Sequence, residues 1–336
     1  MNDIDVSDMQ QMIKAFPRML RSSHLPKDIP ELCTKLRKTS LGGICITGMG
    51  GSSIAGQYIQ SLLQDTVTVP IINIHDYRLP AYVDSKWVAI SVSYSGNTEE
   101  TLLTHEEAKR RGCQTFSIAS GGKLLSDDES TGKVPLPPNF QPRAAFPKIF
   151  STLLHLVECL IGENPTDFES ISDTLLKKEE QWESSPIAPK EMAKDLIDRI
   201  PVFIGSRHLS VVAYRAKCQV NENAKALAFS SEIPEANHNE IESFDEMNDQ
   251  SILPIFLRSA FEDEQLTRRI DITTKIYEDE GFTPLKLSIK GSSKIEEALL
   301  MTYYLDRVTV ELAELRGVDP TSVDKIAKLK SKLGQA

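Results

Sequence analysis

The sequence predicts an α/β protein with two open parallel sheets, each carrying helices on both faces. Three observations predict it. Short apolar runs rich in β-branched residues recur without polar alternation, at 43–47, 69–74 and 87–92, as in strands buried on both sides. Helical patterns separate these runs at the spacing of βαβ units. After a stretch rich in Asp, Glu, Ser and Lys the alternation starts again, and 336 residues are many for a single core.

In chain order, residues 1–38 form an N-terminal segment, read as helical and peripheral from residue 5 on, with a basic patch at Lys35, Arg37 and Lys38. The first domain, 39–162, opens with strand 43–47, a tight turn over Gly48–Ser53 and a helix over 54–63. Strands at 69–74 and 87–92 follow, then helix 98–111, strand 115–119, a short helix opened by Gly121-Gly122-Lys123, and a brief strand at Val134. Gln141-Pro142-Arg143 leads into an apolar helix at 149–161. Residues 163–192, with Pro165, Pro186 and Pro189, read as a helical linker with a polar surface. The second domain, 193–318, repeats the plan with strands at 202–205, 252–257 and 285–289 and helices at 209–223, 263–279 and 292–316. A basic amphipathic helix closes the chain within 319–336. No letter-by-letter repeat joins the halves, so duplication is an inference about architecture only.

Composition narrows the function. A formal net charge of −10 speaks against nucleic acid, whose binders are usually basic, but does not forbid a small anionic substrate. The five cysteines, Cys33, Cys45, Cys113, Cys159 and Cys218, are scattered, odd in number and free of CxxC pairs. They suggest buried, reduced thiols in a cytoplasmic protein, with neither a disulfide framework nor a zinc site. The acidic N-terminus has no signal-peptide character, and no apolar stretch reaches bilayer length.

Parallel sheets take ligands at the carboxyl ends of their strands, where the loops 48–53 and 93–98 fall. Ser93-Tyr-Ser95-Gly-Asn-Thr98 places three hydroxyls before a helix, and Asn97 with Glu100 has the spacing of a capping box. Backbone N–H groups and hydroxyls at such a junction suit a phosphate, held here by dipoles because the stretch has no Lys or Arg. The plainer alternative is a polar loop that only caps its helix. Gly48-Met-Gly50-Gly51-Ser52-Ser53 approaches a dinucleotide fingerprint, but Ser53 stands where its third glycine belongs. Its other use is close backbone approach to a substrate oxygen. Glu222, at the end of a helix among amides, could act as a general base, and His238 in its polar segment could shuttle protons. Taken singly, each is as readily a solvated surface group. His105 and His155 read as structural or solvated, His24 and His208 as loop residues, and His75 as following a strand.

Taken together, these residues resemble a family. Gly48–Ser52, Ser93–Thr98, Pro142-Arg143, Asn221-Glu-Asn-Ala-Lys225, Glu232-Ile-Pro-Glu-Ala-Asn-His238-Asn-Glu240 and the tail from Arg316 to Lys330 occur in the order seen in bifunctional phosphoglucose/phosphomannose isomerases. Those proteins have two sugar-isomerase (SIS) domains per chain, and the resemblance spans roughly 40–333. The hydroxyl loop is common to SIS proteins, whereas the segments around Glu222 and His238 are far more diagnostic.

The resemblance implies an aldose–ketose isomerase that interconverts glucose 6-phosphate and mannose 6-phosphate with fructose 6-phosphate, placing it in glycolysis and gluconeogenesis. It assigns the phosphate to Ser93, Ser95 and Thr98, and the reacting end of the sugar to Gly50, Gly51 and Ser52. Arg143 would sit against the enediolate and Glu222 would be the base. His238 would assist ring opening in the active site of the other subunit of a homodimer. Lys330, on a tail closing over the site, would share in ring opening. No metal or redox cofactor is implied, because one carboxylate can carry the proton between C2 and C1. Val323 departs from a threonine found in some members, which bears on the use of mannose 6-phosphate. The alternatives are a non-catalytic SIS protein that senses sugar phosphates, a nucleotide-dependent oxidoreductase and another sugar-phosphate aldose–ketose isomerase.

Overall fold

A computed structural model describes residues 4–5, 7–244 and 251–334; residues 1–3, 6 and 335–336 of the expected terminal segments lie outside the described residues. In chain order the helices and strands are α1 (Met9–Lys14), α2 (Phe16–Arg21), α3 (Ile29–Arg37), β1 (Gly43–Thr47), α4 (Gly51–Leu63), β2 (Ile71–Ile74), β3 (Trp87–Val92), α5 (Glu99–Arg110), β4 (Gln114–Ala119), α6 (Gly122–Ser126), β5 (Gly132–Pro135), α7 (Phe146–Ile161), α8 (Phe168–Glu183), α9 (Pro189–Asp195), β6 (Ile200–Ser206), α10 (Ser210–Asn223), β7 (Phe229–Ile233), β8 (Ile252–Arg258), α11 (Glu264–Asp279), β9 (Leu285–Ser288), α12 (Lys294–Leu315) and α13 (Asp324–Lys332). They gather into two compact units. The first comprises 15–173 and 324–336, and the second 1–14 and 174–323.

The first unit is built on a five-stranded, all-parallel sheet in the order β2-β1-β3-β4-β5. Every residue of β1 and β3 is buried, which is why these segments are continuously apolar. Helix α7 packs against α2, α3 and α4. Its Phe146 lies 4.9 Å from the Tyr58 ring, edge-on, and stacks on Phe150 at 5.7 Å. The expectation of a peripheral N-terminal segment is wrong for α2 and α3: Phe16, Leu20, Ile29 and Cys33 are buried. Their apolar residues form the buried side of short amphipathic helices, and each such aliphatic or aromatic side chain removed from water contributes about 1.5–3 kcal/mol.

The second unit holds a four-stranded parallel sheet in the order β7-β6-β8-β9. Strand β7 was not expected. Its sequence, Phe-Ser-Ser-Glu-Ile, is half polar, as an edge strand partnered only by β6 can be. Helix α12 is buried on nearly all sides and packs on α1, α9 and α10. Within it Asp306 pairs with the fully buried Arg215 of α10 at 3.1 and 2.6 Å. Trp182 of α8 meets Tyr304 edge-on at 5.1 Å. The stretch read as a linker thus contains α8 and the start of α9, with Trp182 and Met192 buried.

Apart from β5, which has no counterpart among the described residues, the two sheets share one strand order. Strand β6 holds in the second sheet the place of β1 in the first, β8 that of β3, and β9 that of β4.

Candidate active site

In the first unit the loop after β3 is a rigid shell. Ser93 is buried, and its Oγ lies 2.9 Å from Thr98 Oγ1 and accepts the Gly96 N–H at 3.1 Å. Ser95 is exposed, and its Oγ accepts from Asn97 N at 3.3 Å. The expected capping box is not formed. The N-cap of α5 is Thr98, which makes no side-chain cap, while Asn97 Oδ1 accepts the Lys123 N–H at 3.1 Å. Asn97 is thus used to join two loops, and the dipole of α5 opens onto the hydroxyls without a side-chain cap. Glu99 and Glu100 in the first turn temper that field.

A second loop locks the first in place. Gly96 has φ +70°, and a Cβ there would lie 1.8 Å from the Gly121 carbonyl oxygen, so only glycine fits. Leu124 N donates to Gly96 O at 3.0 Å, and Ser120 N to Tyr94 O at 2.9 Å. Tyr94 Oη donates to Pro137 O at 2.7 Å and accepts from Phe140 N at 3.0 Å. These supports, from Ser120, Lys123 and Tyr94, were missed from sequence; the Gly-Gly pair directly after a strand was the one visible signal.

The turn after β1 lies beside this shell. A Cβ on Gly48 would reach within 2.8 Å of the Val92 carbonyl oxygen, at the end of β3. Gly50 is exposed and precedes α4, which has no side-chain cap. A Cβ on Gly51 would meet Pro142 O at 3.1 Å and Arg143 Cα at 3.4 Å, so the turn and the Pro142-Arg143 segment are in direct apposition. Arg143 is buried, as are Ser52 and Ser53; Ser53 Oγ accepts from Asn73 Nδ2 at 3.0 Å. Of the residues singled out from sequence, the structure therefore brings together Gly51 with Arg143 and Ser93 with Thr98, on adjoining strand ends of one sheet. Lys330 belongs to the same unit, with an exposed side chain on α13.

Glu222 and His238 lie in the second unit. Glu222 occupies the last turn of α10, half-buried between two anchored asparagines. Asn221 Nδ2 donates to Ala226 O at 2.8 Å, and the buried Asn223 Nδ2 to Thr309 Oγ1 at 2.9 Å. Arg316 Nε donates to Ala224 O at 3.1 Å. Residues on both sides of Glu222 are thus tied down, which restricts where its carboxylate can point. Burial pushes the Cys218 thiol, one turn earlier, above its ordinary value; Lys217 opposes this and the Glu222 charge adds to it. His238 ends a short 3₁₀ turn, Glu235–His238, with an exposed side chain; the preceding Asn237 is fixed to Thr273 Oγ1 at 2.9 Å.

Three of the other histidines take structural places, while His24 and His75 are exposed. His105 is buried, with Nδ1 3.0 Å from Ser91 Oγ and Nε2 3.0 Å from Asp127 Oδ2, and burial lowers its basicity. His155 bonds Thr166 O at 3.1 Å, and His208 bonds Glu297 at 2.9 Å. All five cysteines are free thiols. Among the described residues no helix is long and apolar enough to cross a membrane.

Comparison with known proteins places the chain in a family. Residues 188–333 match the family model described as the bacterial phospho-glucose isomerase C-terminal SIS domain. A bifunctional phosphoglucose/phosphomannose isomerase from Aquifex aeolicus is 32% identical over 332 residues, covering 98% of this chain and 99% of that protein. A D-glucosamine-6-phosphate 4-epimerase from Sulfolobus acidocaldarius is 34% identical over 247 residues, 71% of this chain and 74% of that protein. Among solved structures, the C-terminal domain of glucosamine-fructose-6-phosphate aminotransferase from Francisella tularensis superposes with a TM-score of 0.75 at 15% identity. That likeness covers 94% of this chain and 98% of that one, and speaks for the fold alone. On the strength of 32% identity to the Aquifex aeolicus protein, over 98% of this chain and 99% of that protein, the chain belongs to the bifunctional phosphoglucose/phosphomannose isomerase family.

Proposed function

We propose that the protein is an isomerase that interconverts glucose 6-phosphate, and mannose 6-phosphate, with fructose 6-phosphate through an enediol. The observation that carries this reading is the apposition, within one unit, of a hydroxyl-lined helix start to a glycine turn backed by a buried arginine. Ser93, Ser95 and Thr98 hold the phosphate, which fixes the far end of the sugar. That remote binding energy orients the reacting carbons. Gly50, Gly51 and Ser52 line the reacting end with backbone N–H groups.

Ring opening requires a proton to leave O1 and another to reach the ring oxygen, and His238 and Lys330 carry these transfers. Both side chains are exposed and so open to a substrate or a second subunit. We assign His238 to the site of the partner in a homodimer, acting in the cytoplasm. Glu222 then removes the C2 proton of the open-chain aldose and returns it at C1, while Arg143 stabilises the enediolate oxygen. A positioned base is worth about 10²–10⁴-fold in rate, and a charged donor at the developing oxyanion about 10²–10³. One carboxylate can take a proton from C2 and return one at C1, and Arg143 meets the enediolate charge, so this chemistry needs no metal or redox cofactor.

The decisive experiment is Glu222→Gln. The variant should bind a sugar-phosphate analogue yet lose turnover and C2 proton exchange with solvent; exchange at the wild-type rate would remove Glu222 from the base role. A coupled assay on all three hexose 6-phosphates, with and without a chelator, defines the substrates. For the shared site, mixed dimers of Glu222→Gln and His238→Ala subunits should regain activity that neither parent has. The identity to a 4-epimerase supports a second reading, epimerisation of an amino-sugar phosphate. Formation of a 4-epimer from glucosamine 6-phosphate, with hexose 6-phosphates left unchanged, would favour it.

A further inference from the structure

The second sheet presents the same three strand ends as the first, and each is already supplied with a carboxylate or a cap. After β8, at the position equivalent to the hydroxyl loop, Glu297 Oε1 accepts the Ala260 N–H at 2.8 Å, and Oε2 accepts the Ser259 hydroxyl. The same Oε2 lies 2.9 Å from His208 Nε2, after β6. Glu297 is fully buried in the first turn of α12, and His208 is 3% exposed with its other ring nitrogen buried and unpartnered. Glu262 Oε1 accepts the Ser259 N–H at 2.7 Å, and Glu296 Oε2 accepts the Ser292 N–H at 2.5 Å, after β9. Gly291 makes room for this packing, because a Cβ there would lie 2.4 Å from Glu297 N. The helix starts differ as well. Asp263 caps α11 through Leu266 N at 2.8 Å and Ser293 caps α12 through Glu296 N at 3.1 Å, whereas their counterparts α5 and α6 have no side-chain caps; α4 and α10, which follow β1 and β6, both lack one.

We infer that Glu297 is a built-in anion that fills the second sheet's strand-end site, where a backbone N–H, a hydroxyl and an imidazole would otherwise receive a phosphate. Each chain therefore offers one open phosphate site, on the first sheet, and one latent site closed by its own carboxylate. A buried carboxylate that bonds a loop N–H, a hydroxyl and an imidazole at a helix start satisfies the donors that P–O oxygens satisfy elsewhere. This inference concerns anion binding and stands apart from the reaction assigned above.

Equilibrium dialysis of the full chain with inorganic phosphate tests it. Glu297→Ala should bind one more phosphate per chain than wild type, and Glu297→Gln, which keeps the site filled, should bind the same number as wild type. The double variant Ser93→Ala/Thr98→Ala should lower the count by one in both the wild-type and the Glu297→Ala background. If the first-sheet loop is no phosphate site, that loss disappears, but the increment from Glu297→Ala remains. Equal counts for wild type and Glu297→Ala overturn the inference. Hydrogen exchange of the wild-type chain gives a reading that needs no variant at Glu297. Phosphate should slow exchange in 93–102 and leave 258–264 unchanged; slowing in 258–264 means that the second site is open, and the inference fails.

Discussion

The loops after β3 and β8 hold equivalent places on two sheets of the same strand order, yet they treat a helix start in opposite ways. After β3 the groups are neutral: Ser93, Ser95 and Thr98 offer hydroxyls, and no side chain caps α5. After β8 carboxylates have taken the donors, and Asp263 caps α11. The lesson concerns electrostatic completeness. A helix start satisfied from within the chain is a structural joint, and one left without an internal anion is where a ligand can bind.

The largest effect separating the two regions should come from Arg143→Ala, which we expect to lower kcat by about 10²–10³-fold with thermal stability less affected. A loss carried by KM alone would move Arg143 from the reacting end to general binding. Next come two glycines. Gly96→Ala and Gly291→Ala each force a Cβ against backbone, and each should cost on the order of 2–4 kcal/mol in denaturant titrations. Only Gly96→Ala should also raise KM, at least about tenfold. If Gly291→Ala does the same, the contrast between the two sheets does not hold.

Smaller effects distinguish cap from cradle. Asp263→Ala removes a true N-cap and should cost about 1 kcal/mol of stability without changing KM. Thr98→Ala removes a hydroxyl that caps nothing, and should weaken sugar-phosphate binding more than it destabilises the fold. The smallest effect expected is a pH dependence in the first unit. Burial acts to raise the Asp127 carboxyl, but Lys109, the Glu129 N–H and His105 outweigh it and hold it at about 2. Because that lies below the unfolded value near 3.9, the group stabilises the fold above about pH 4. This contribution fades as the pH falls from there towards 2. Asp127→Asn should flatten that part of the acid-unfolding profile.

Much of this was legible in the sequence. Strands β1 and β3 are buried on both faces and so are spelled in unbroken apolar letters, and the loops after them are spelled in glycine and hydroxyls. Less was legible where one residue type serves two purposes. Asn97 and Glu100 have capping-box spacing, but Asn97 is held by Lys123 N, a tertiary contact that spacing cannot foretell. Strand β7 hid because an edge strand tolerates Ser-Ser-Glu. The apolar residues of α2 and α3 looked superficial because short amphipathic helices read alike whether they cover a core or float on it. Glu297 was invisible for a related reason. A glutamate early in a helix is ordinary, and only the fold brings it to Ala260 N and His208 Nε2.

The carboxylate of Glu297 can also be described in terms of mass action. A free phosphoester bound at the first sheet stabilises the fold by an amount that grows with the logarithm of its supply, about 2.7 kcal/mol when it stands at a hundred times its dissociation constant, and nothing when it is absent. Glu297 is a ligand that cannot be diluted, since it is attached to the chain it completes. The strand-end site of the second sheet is therefore filled in a fed and a starved cell alike, whereas that of the first sheet fills only when hexose phosphate is present. When hexose phosphate runs out, the loop after β3 should lose protection from proteolysis, and the loop after β8 should not.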